Sequence, residues 1–458
     1  MEKKMSKKLW FNILLFSLMG QVAWNVENMY FNTFLYNSVY EGTPEAVVDA
    51  FVPAYTAITW MVQLSAITAV LTTFIMGTLS DKMRNRKLFI SGGYVAWGII
   101  TALFGFISKD NVSALLGITD EVKVLAITVW IVIIMDSIMT FMGSTSNDSA
   151  FNAWVTDVTI PAVRPKVEFA FSVLPVLAMG IVMGIGTFAQ SGKISYSAFF
   201  ICLGAFVTIC GILGFFLIKE PEHKVIEKKE DSNYFKNLIY GFKPSVISEN
   251  SRLYLALLAL GFSSIATQVF FPLLLPYLQY VILPASEGIN FLSAGTIIPV
   301  VISLIAAIGL LVLLLKLIKT NKKIAMYICI GVFTAALFAL SFSHNIVTVI
   351  VSALPLLPAM LIFSIHIGAC VRDFTPLGKA GVFQGVRMIF AVLLPMLIGP
   401  ALGNLASKLS GLTYVTEYKE VLDVPSSEMF LYAAVVMVLA FIPMFFLAKK
   451  GFEVENTD

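Results

Sequence analysis

The chain has 458 residues, of which 58% are hydrophobic and 13% charged, with a net charge of +3 and a mean hydropathy of +0.87. A water-soluble globule carries roughly 25% charged residues, so this composition excludes a soluble enzyme, a disordered scaffold and a basic nucleic-acid binder. A bilayer span takes about 20 apolar residues, so the length holds roughly a dozen helices with short loops.

The chain opens Met-Glu-Lys-Lys-Met-Ser-Lys-Lys and runs into an apolar segment that continues through Trp24, Asn25 and Glu27 to Tyr36. A cleaved signal has a short apolar region and a small-residue cleavage site, so this reads as an uncleaved first span. Apolar segments follow at 10–37, 51–79, 88–108, 123–155, 166–190 and 195–218. After a polar stretch they resume at 252–282, 289–318, 323–343, 346–371, 379–406 and 428–448. The expected fold is an all-α membrane protein of twelve transmembrane helices in two six-helix bundles. Its parts are a first bundle over 1–218, a linker over 219–251 and a second bundle over 252–458. The ten-residue alternating segments of a β-barrel are absent.

An even number of spans puts both termini on one side, and basic residues mark the cytoplasmic side. With cytoplasmic termini, 25 of the 31 basic residues fall inside and 5 outside, leaving Arg387 within a span. This predicts a multi-pass plasma-membrane protein. The linker Glu-Pro-Glu-His-Lys-Val-Ile-Glu-Lys-Lys-Glu-Asp is a solvated connection, with a short helix expected from Asn233 to Gly241 and His223 exposed. The cysteines Cys202, Cys210, Cys329 and Cys370 lie in or at the edge of apolar stretches without a C-x-x-C, and read as small packing residues. No cofactor or metal set is suggested.

The connection after the fourth segment, 155–167, matches the one after the tenth, 371–382, with a one-residue gap: Asp157 with Asp373, Thr159 with Thr375, and Arg164 and Lys379 before the next span. Parallel repeats of six spans suit a two-bundle carrier.

Polar residues inside apolar segments are costly and mark function or packing. Gln21, Asn25, Asn28 and Asn32 recur at helical spacing on one face, with Trp24 at its border. Amides offer both a donor and an acceptor to a polyhydroxylated solute, and Trp24 offers an apolar face to a sugar ring; hydrogen bonding between helices is the alternative. Glu27 lies a quarter turn away, as a protonatable carboxyl or as the partner of a neighbouring helix. In the fourth segment, Ser137, Thr140, Ser144, Asp148 and Asn152 share a broad face. Asp136 lies about 18 Å from Asp148 along the axis, too far to pair with it. Asp148 and Arg387 are expected at similar depth, facing one cavity and exchanging partners. Gln268 precedes Pro272 and Pro276, which should bend the seventh span. His366 reads as interfacial packing or a proton relay, and Gly180, Gly184 and Gly186 as close-packing positions.

The loop Gly-Thr-Leu-Ser-Asp-Lys-Met-Arg-Asn-Arg-Lys at 77–87 resembles the signature of the major facilitator superfamily, carried by Gly77, Leu79, Asp81, Lys82, Arg86 and Lys87. Arg84 stands where that signature has a glycine, a departure resembling the glycoside–pentoside–hexuronide branch and its melibiose and sucrose carriers. Asp-Ser-Ala-Phe at 148–151 resembles the Asp-x-x-Phe segment of that branch, whose Asp helps bind sugar, and Arg387 stands where melibiose carriers have a buried lysine. The resemblance implies a secondary carrier that moves a sugar or glycoside by alternating access, with the site between the bundles. The expected coupling ion is a proton, bound at Glu27 or Asp148, with sodium as the other candidate. The resemblance also implies a gate of Asp81, Arg84, Arg86, Lys87, Asp157, Arg164, Asp373 and Lys379. The carboxylate pair of sodium-coupled melibiose carriers is missing from Ala69–Phe74, and the arginine of their fifth span and the carboxylate of their first are absent, so the resemblance does not carry over sodium coupling or a galactoside. An amphiphile, lysophospholipid or drug carrier is the alternative within the class, and a sensor or pore the alternative outside it. The expected partners are the small-molecule solute, the coupling ion and the lipid bilayer; nucleic acid is excluded and a monomer is expected.

Overall fold

The computed structural model describes residues 5–190, 194–220, 240–287, 289, 293–376, 378–416 and 421–452. Most of the expected linker helix from Asn233 to Gly241, with His223, lies outside the described residues. The described residues hold twelve helices long and apolar enough to cross a membrane. These are span 1 (Lys7–Tyr40), span 2 (Thr56–Met83), span 3 (Arg86–Phe106), span 4 (Glu121–Val158), span 5 (Arg164–Gly186) and span 6 (Tyr196–Leu217). Then come span 7 (Ser251–Ile282), span 8 (Ile297–Thr320), span 9 (Lys322–Ser341), span 10 (Ile346–Phe374), span 11 (Ala380–Ser410) and span 12 (Glu428–Lys450). Helices dominate because hydrocarbon supplies no partners for backbone amides, and a helix satisfies its own.

The starts of the helices are written in short polar side chains. Ser195 caps span 6, Asn85 caps span 3 and Asn321 caps span 9. Asn345 and Thr348 form a capping box at span 10. Asp120 caps span 4, accepting the amides of Lys123 and Val122. Hydrogen bonding by the Lys123 amide, the largest cause, holds this carboxyl below the usual carboxylate range.

The chain divides into two compact units. The first comprises Met1–Val163, Ala170–Lys243 and Pro376–Val386; the second comprises Arg164–Phe169, Pro244–Thr375 and Arg387–Asp458. The first turns of span 5 therefore pack with the second unit, and the first turns of span 11 with the first.

In the first unit, spans 1, 3 and 6 meet through aromatic rings. Phe31 and Phe104 lie 4.1 Å apart, and Phe200 packs 5.5 Å from Phe31. Spans 3 and 6 approach backbone to backbone at Gly98 and Gly204: a Cβ on Gly98 would sit 2.5 Å from the Gly204 carbonyl oxygen. The glycines expected to pack in span 5 behave differently. A Cβ on Gly180 or Gly184 would meet nothing within 4 Å, because that part of the helix faces outward; Gly186 alone abuts a neighbour, the Tyr30 ring.

In the second unit, Tyr277, Phe270 and Phe430 form a ring cluster, and the Tyr277 hydroxyl donates to the Ser343 carbonyl at 3.2 Å. Span 7 is interrupted where the prolines fall. Its helix Ser251–Phe270 gives way to a tight turn at Phe271–Leu273 and a short helix at Leu274–Tyr277. A feature with no counterpart in the sequence reading is a small antiparallel hairpin after span 11, Thr413–Val415 paired with Val421–Asp423. Its Tyr414 ring lies 4.6 Å from Tyr280.

Several spans contain a wide turn, in which one extra residue is inserted: Glu27–Phe31 and Tyr36–Tyr40 in span 1, Ser144–Phe151 in span 4, Leu278–Ile282 in span 7 and Ile389–Leu393 in span 11. Wide turns of this kind concentrate at functional sites.

The Gly98–Gly204 approach gives a direct test. Gly98→Ala forces backbone apart and should cost about 1–3 kcal/mol, read as a lowered thermal-unfolding midpoint. Gly184→Ala, where there is open space, should leave the midpoint unchanged or raise it slightly.

Candidate functional site

Three of the intramembrane charges sit at or beside wide turns. Glu27 opens the first turn of span 1, Asp148 lies within the turn of span 4, and Arg387 precedes the turn of span 11 by two residues. An inserted residue rotates everything beyond it by roughly 100° relative to a straight helix. The face expected from Gln21 to Asn32 is thus interrupted between Asn28 and Asn32, and Glu27, at the start of the turn, is buried.

Gln21, Trp24, Asn25 and Asn32 are half-buried and Asn28 is exposed. Asn25 donates to the Gln21 carbonyl and Asn28 to the Trp24 carbonyl, each at 2.8 Å. Both bonds are within span 1. Among the described residues, none of the four amides bonds another span. Trp24 lies 5.0 Å from Trp97, ring to ring, and borders Gly143. It forms the edge of a cluster with Tyr94 and Trp97.

In span 4, Ser144 donates to Asp148 Oδ2 at 3.0 Å, and the Asn147 amide reaches Oδ1 at 3.3 Å. Asn147 also accepts from Tyr94 at 3.1 Å, which ties the Asp148 carboxylate to span 3. Asn152 donates to the Asn147 carbonyl five residues back, as a wide turn dictates. Gln268 is half-buried in span 7, its Cβ lying where a side chain on Gly399 would stand.

Arg387 and Asp148 belong to different units, and each has partners of its own. Arg387 reaches the Glu168 carboxylate at 4.0 Å. Glu168 also receives Arg372 Nε; Arg372 is 1% exposed and Glu168 is likewise buried. One turn earlier, Arg164 pairs with Asp373 at 2.8 Å. Span 5 thus presents plus and minus at an interval of four residues, and span 10 answers with Arg372 and Asp373. Gly368 leaves the space that the Glu168 carboxylate fills: a Cβ there would sit 2.8 Å from Oε2. The sequence reading missed Glu168. The available signal was stoichiometric, since a buried arginine must be paired, and Glu168 is the carboxylate four residues into span 5.

At the end of span 2, Arg86 binds Asp81 and Ser80, and reaches Asp157 at 3.2 Å. The Asp81 carboxylate also accepts the amides of Gly381 and Val382, at 3.0 and 2.9 Å, at the start of span 11. Gly77 and Gly381 are in backbone contact beside it. Asp81 thus caps one helix while anchoring another. Arg84 takes no part in this network. It is exposed and left-handed, with φ 52° and ψ 32°, the conformation for which glycine is suited. The Lys87 and Arg86 amides are capped by Glu220 at 2.6 and 3.2 Å, a partner the sequence did not announce. Lys379 lies over the Tyr240 ring at 3.4 Å. His366 is buried, with Nδ1 at 2.9 Å from the Ile362 carbonyl. A polar recess of about 480 Å³, lined by Asn250, Arg252, Asp373 and Lys450 among others, lies in the second unit, and none of the expected solute residues lines it.

Twelve spans with ion pairs gathered at helix ends and wide turns within several of them fit a membrane-carrier architecture. The pattern of the Major Facilitator Superfamily matches residues 13–400, and the chain belongs to that superfamily. No curated protein matches the sequence. Among solved structures, the chain is similar to a bacterial homologue of the iron transporter ferroportin, with 12% identity, coverage of 96% of this chain and 99% of that one, and a TM-score of 0.63. It is similar to a proton:xylose symporter, with 13% identity, coverage of 96% and 95%, and a TM-score of 0.61. It is also similar to the fucose:proton symporter of E. coli, with 14% identity, coverage of 96% and 99%, and a TM-score of 0.53. At these identities the likeness establishes the fold.

Two substitutions test the local geometry. Glu168→Gln leaves two arginines without their anion and should cost about 3–5 kcal/mol, read as a large fall in thermal stability. Arg84→Gly removes a left-handed side chain and should raise stability by up to about 1 kcal/mol.

Proposed function

We propose that the protein is a secondary carrier of the glycoside–pentoside–hexuronide branch, moving a sugar or glycoside across the plasma membrane by alternating access, with both termini cytoplasmic and transport coupled to a cation. The observation that carries this reading is the amide stripe of span 1. Its side chains are set in a membrane helix and partly accessible, and Asn25 and Asn28 each spend one amide hydrogen within the helix, so the second amide hydrogens and the carbonyl oxygens are available to a hydroxyl-rich solute. Asp148, oriented by Ser144 and Asn147, adds a carboxylate able to accept two sugar hydroxyls. Ser144, Asn152 and Gln268 complete the proposed solute set, with Trp24 supplying an apolar face. Arg387, held near Glu168, serves as the movable positive charge. The xylose and fucose symporters among the similar structures are in keeping with this cargo, while the ferroportin homologue shows that the fold also carries others.

The gate follows from the ion network. Asp81, Arg86 and Asp157 make one latch, Arg164 and Asp373 another, and Lys379 acts through Tyr240. Partly buried pairs of this kind bias a two-state equilibrium by a few kcal/mol. In this reading Lys87 and Arg84 contribute orienting charge.

Uptake into proteoliposomes, with a panel of sugars and with pH and sodium gradients imposed separately, tests the function. One sugar class should accumulate under an imposed cation gradient. Asp148→Asn and Arg387→Ala should each lower uptake about 10- to 100-fold, the loss of one charged hydrogen bond. Wild-type uptake in both variants overturns the assignment of these residues. Failure of every sugar to move or compete turns the reading to an amphiphile carrier.

A further inference from the structure

Spans 1, 2 and 4 bring four oxygen-bearing side chains together inside the first unit. Glu27 is 8% exposed, Asp136 2%, Ser65 9% and Thr140 1%. Three of their oxygens form a closed triangle: Ser65 Oγ lies 2.9 Å from Glu27 Oε1, Thr140 Oγ1 lies 3.0 Å from the same oxygen, and the two hydroxyls are 2.6 Å apart. Each edge is at hydrogen-bond length and takes one proton. A hydroxyl has a single proton to donate, so Ser65 and Thr140 serve two edges. The third edge requires a proton on the Glu27 carboxyl; without it, lone pairs would face each other at hydrogen-bond distance.

The surroundings agree. Glu27 Oε2 and Asp136 Oδ1 are buried and have no hydrogen-bond partner among the described residues. Ser65 faces Asp136 as well as Glu27. Among the described residues, the charged groups that act on Glu27 are Asp136 and, more weakly, Asp148, both on span 4, with no charged group of span 2 among them. No lysine, arginine or histidine forms an ion pair with Glu27 or Asp136 among the described residues. Two carboxylates removed from water without a counter-cation are costly, and carboxyls sharing a site hold a proton.

We propose that Glu27 and Asp136 form a proton-binding site, that Ser65 and Thr140 hold the proton on Glu27, and that this pair rather than Asp148 takes up the coupling proton. Its use in transport rests on the carrier reading above; the protonation itself does not. Release is a plain acid dissociation: the carboxyl O–H bond of Glu27 breaks, its proton goes to water, and the bonding pair stays on the carboxylate. Uptake is the reverse, so no oxidant or co-reactant is needed. The wide turn Glu27–Phe31 starts at this carboxyl, so a shift of that turn would open the triangle to water. Asp136, in this arrangement, is a positioning residue whose carboxyl neighbours the one that carries the proton.

The test is infrared difference spectroscopy on the full chain in lipid nanodiscs at neutral pH, recording the carbonyl stretch of protonated carboxyl groups. A buried-acid band should be present in the wild type, lost in Glu27→Gln, shifted in Ser65→Ala and in Asp136→Asn, and retained in Asp148→Asn. Ser65→Ala keeps the test open should Glu27→Gln fail to fold. Absence of the band in the wild type, or its loss in Asp148→Asn alone, overturns the proposal and leaves the carrier reading intact. Disappearance of the band on adding sodium chloride in place of potassium chloride also overturns it, since the site would then take a metal cation. Presence of the band in a protein that moves no solute supports the site and overturns the carrier reading.

Discussion

A charge withdrawn from water has to be answered inside the chain, and that constraint organises this molecule. Its 13% of charged residues is far below what a soluble surface needs, and among the described residues the arginines withdrawn from water have defined partners. Arg372 and Arg387 share Glu168, Arg164 takes Asp373, and Arg86 bridges Asp81 and Asp157. Burial removes competing solvent, which strengthens each pair and also makes each costly to leave half-made. The networks therefore specify which helix ends lie together more sharply than apolar packing can, since every span offers a similar greasy surface.

Two of these networks use segments traded between sequence halves. Arg164–Phe169 pack with the second unit and Pro376–Val386 with the first. Glu168 enters the slot left by Gly368, and Asp81 meets the amides of Gly381 and Val382 where Gly77 lets backbone touch backbone. In both places a glycine makes room and a carboxylate fills it. The two sites are not copies of one another: one carboxylate meets guanidinium groups, the other meets a guanidinium and helix amides.

Much of this was legible in the sequence. Hydropathy located the twelve spans within a few residues, because a membrane permits few alternatives to the helix. The loop 77–87 and the Asp157 and Asp373 matches marked residues that do enter ion networks. Three things were hidden. Glu168 stands in the first turns of span 5 and reads as an edge charge, since its meaning depends on two arginines some 200 residues away. Glu220 is a linker acid whose role as a cap appears only when span 3 begins beside it. The hairpin at Thr413–Val415 is too short to register as a pattern. Arg84 shows the reverse: the sequence displayed an odd residue at a glycine position, and the structure shows the left-handed backbone that makes it odd.

The wide turns have a consequence for comparing this protein with its relatives. A helix carrying one inserted residue is out of phase with a straight one from that point on. An alignment drawn by hydropathy, or threaded onto a regular template, therefore assigns residues beyond Phe31, Phe151 or Leu393 to the wrong face by roughly 100°. At identities of 12 to 14% nothing in the letters corrects the slip. Against any helix that runs straight at that point, equivalent positions beyond the turn are offset by one residue.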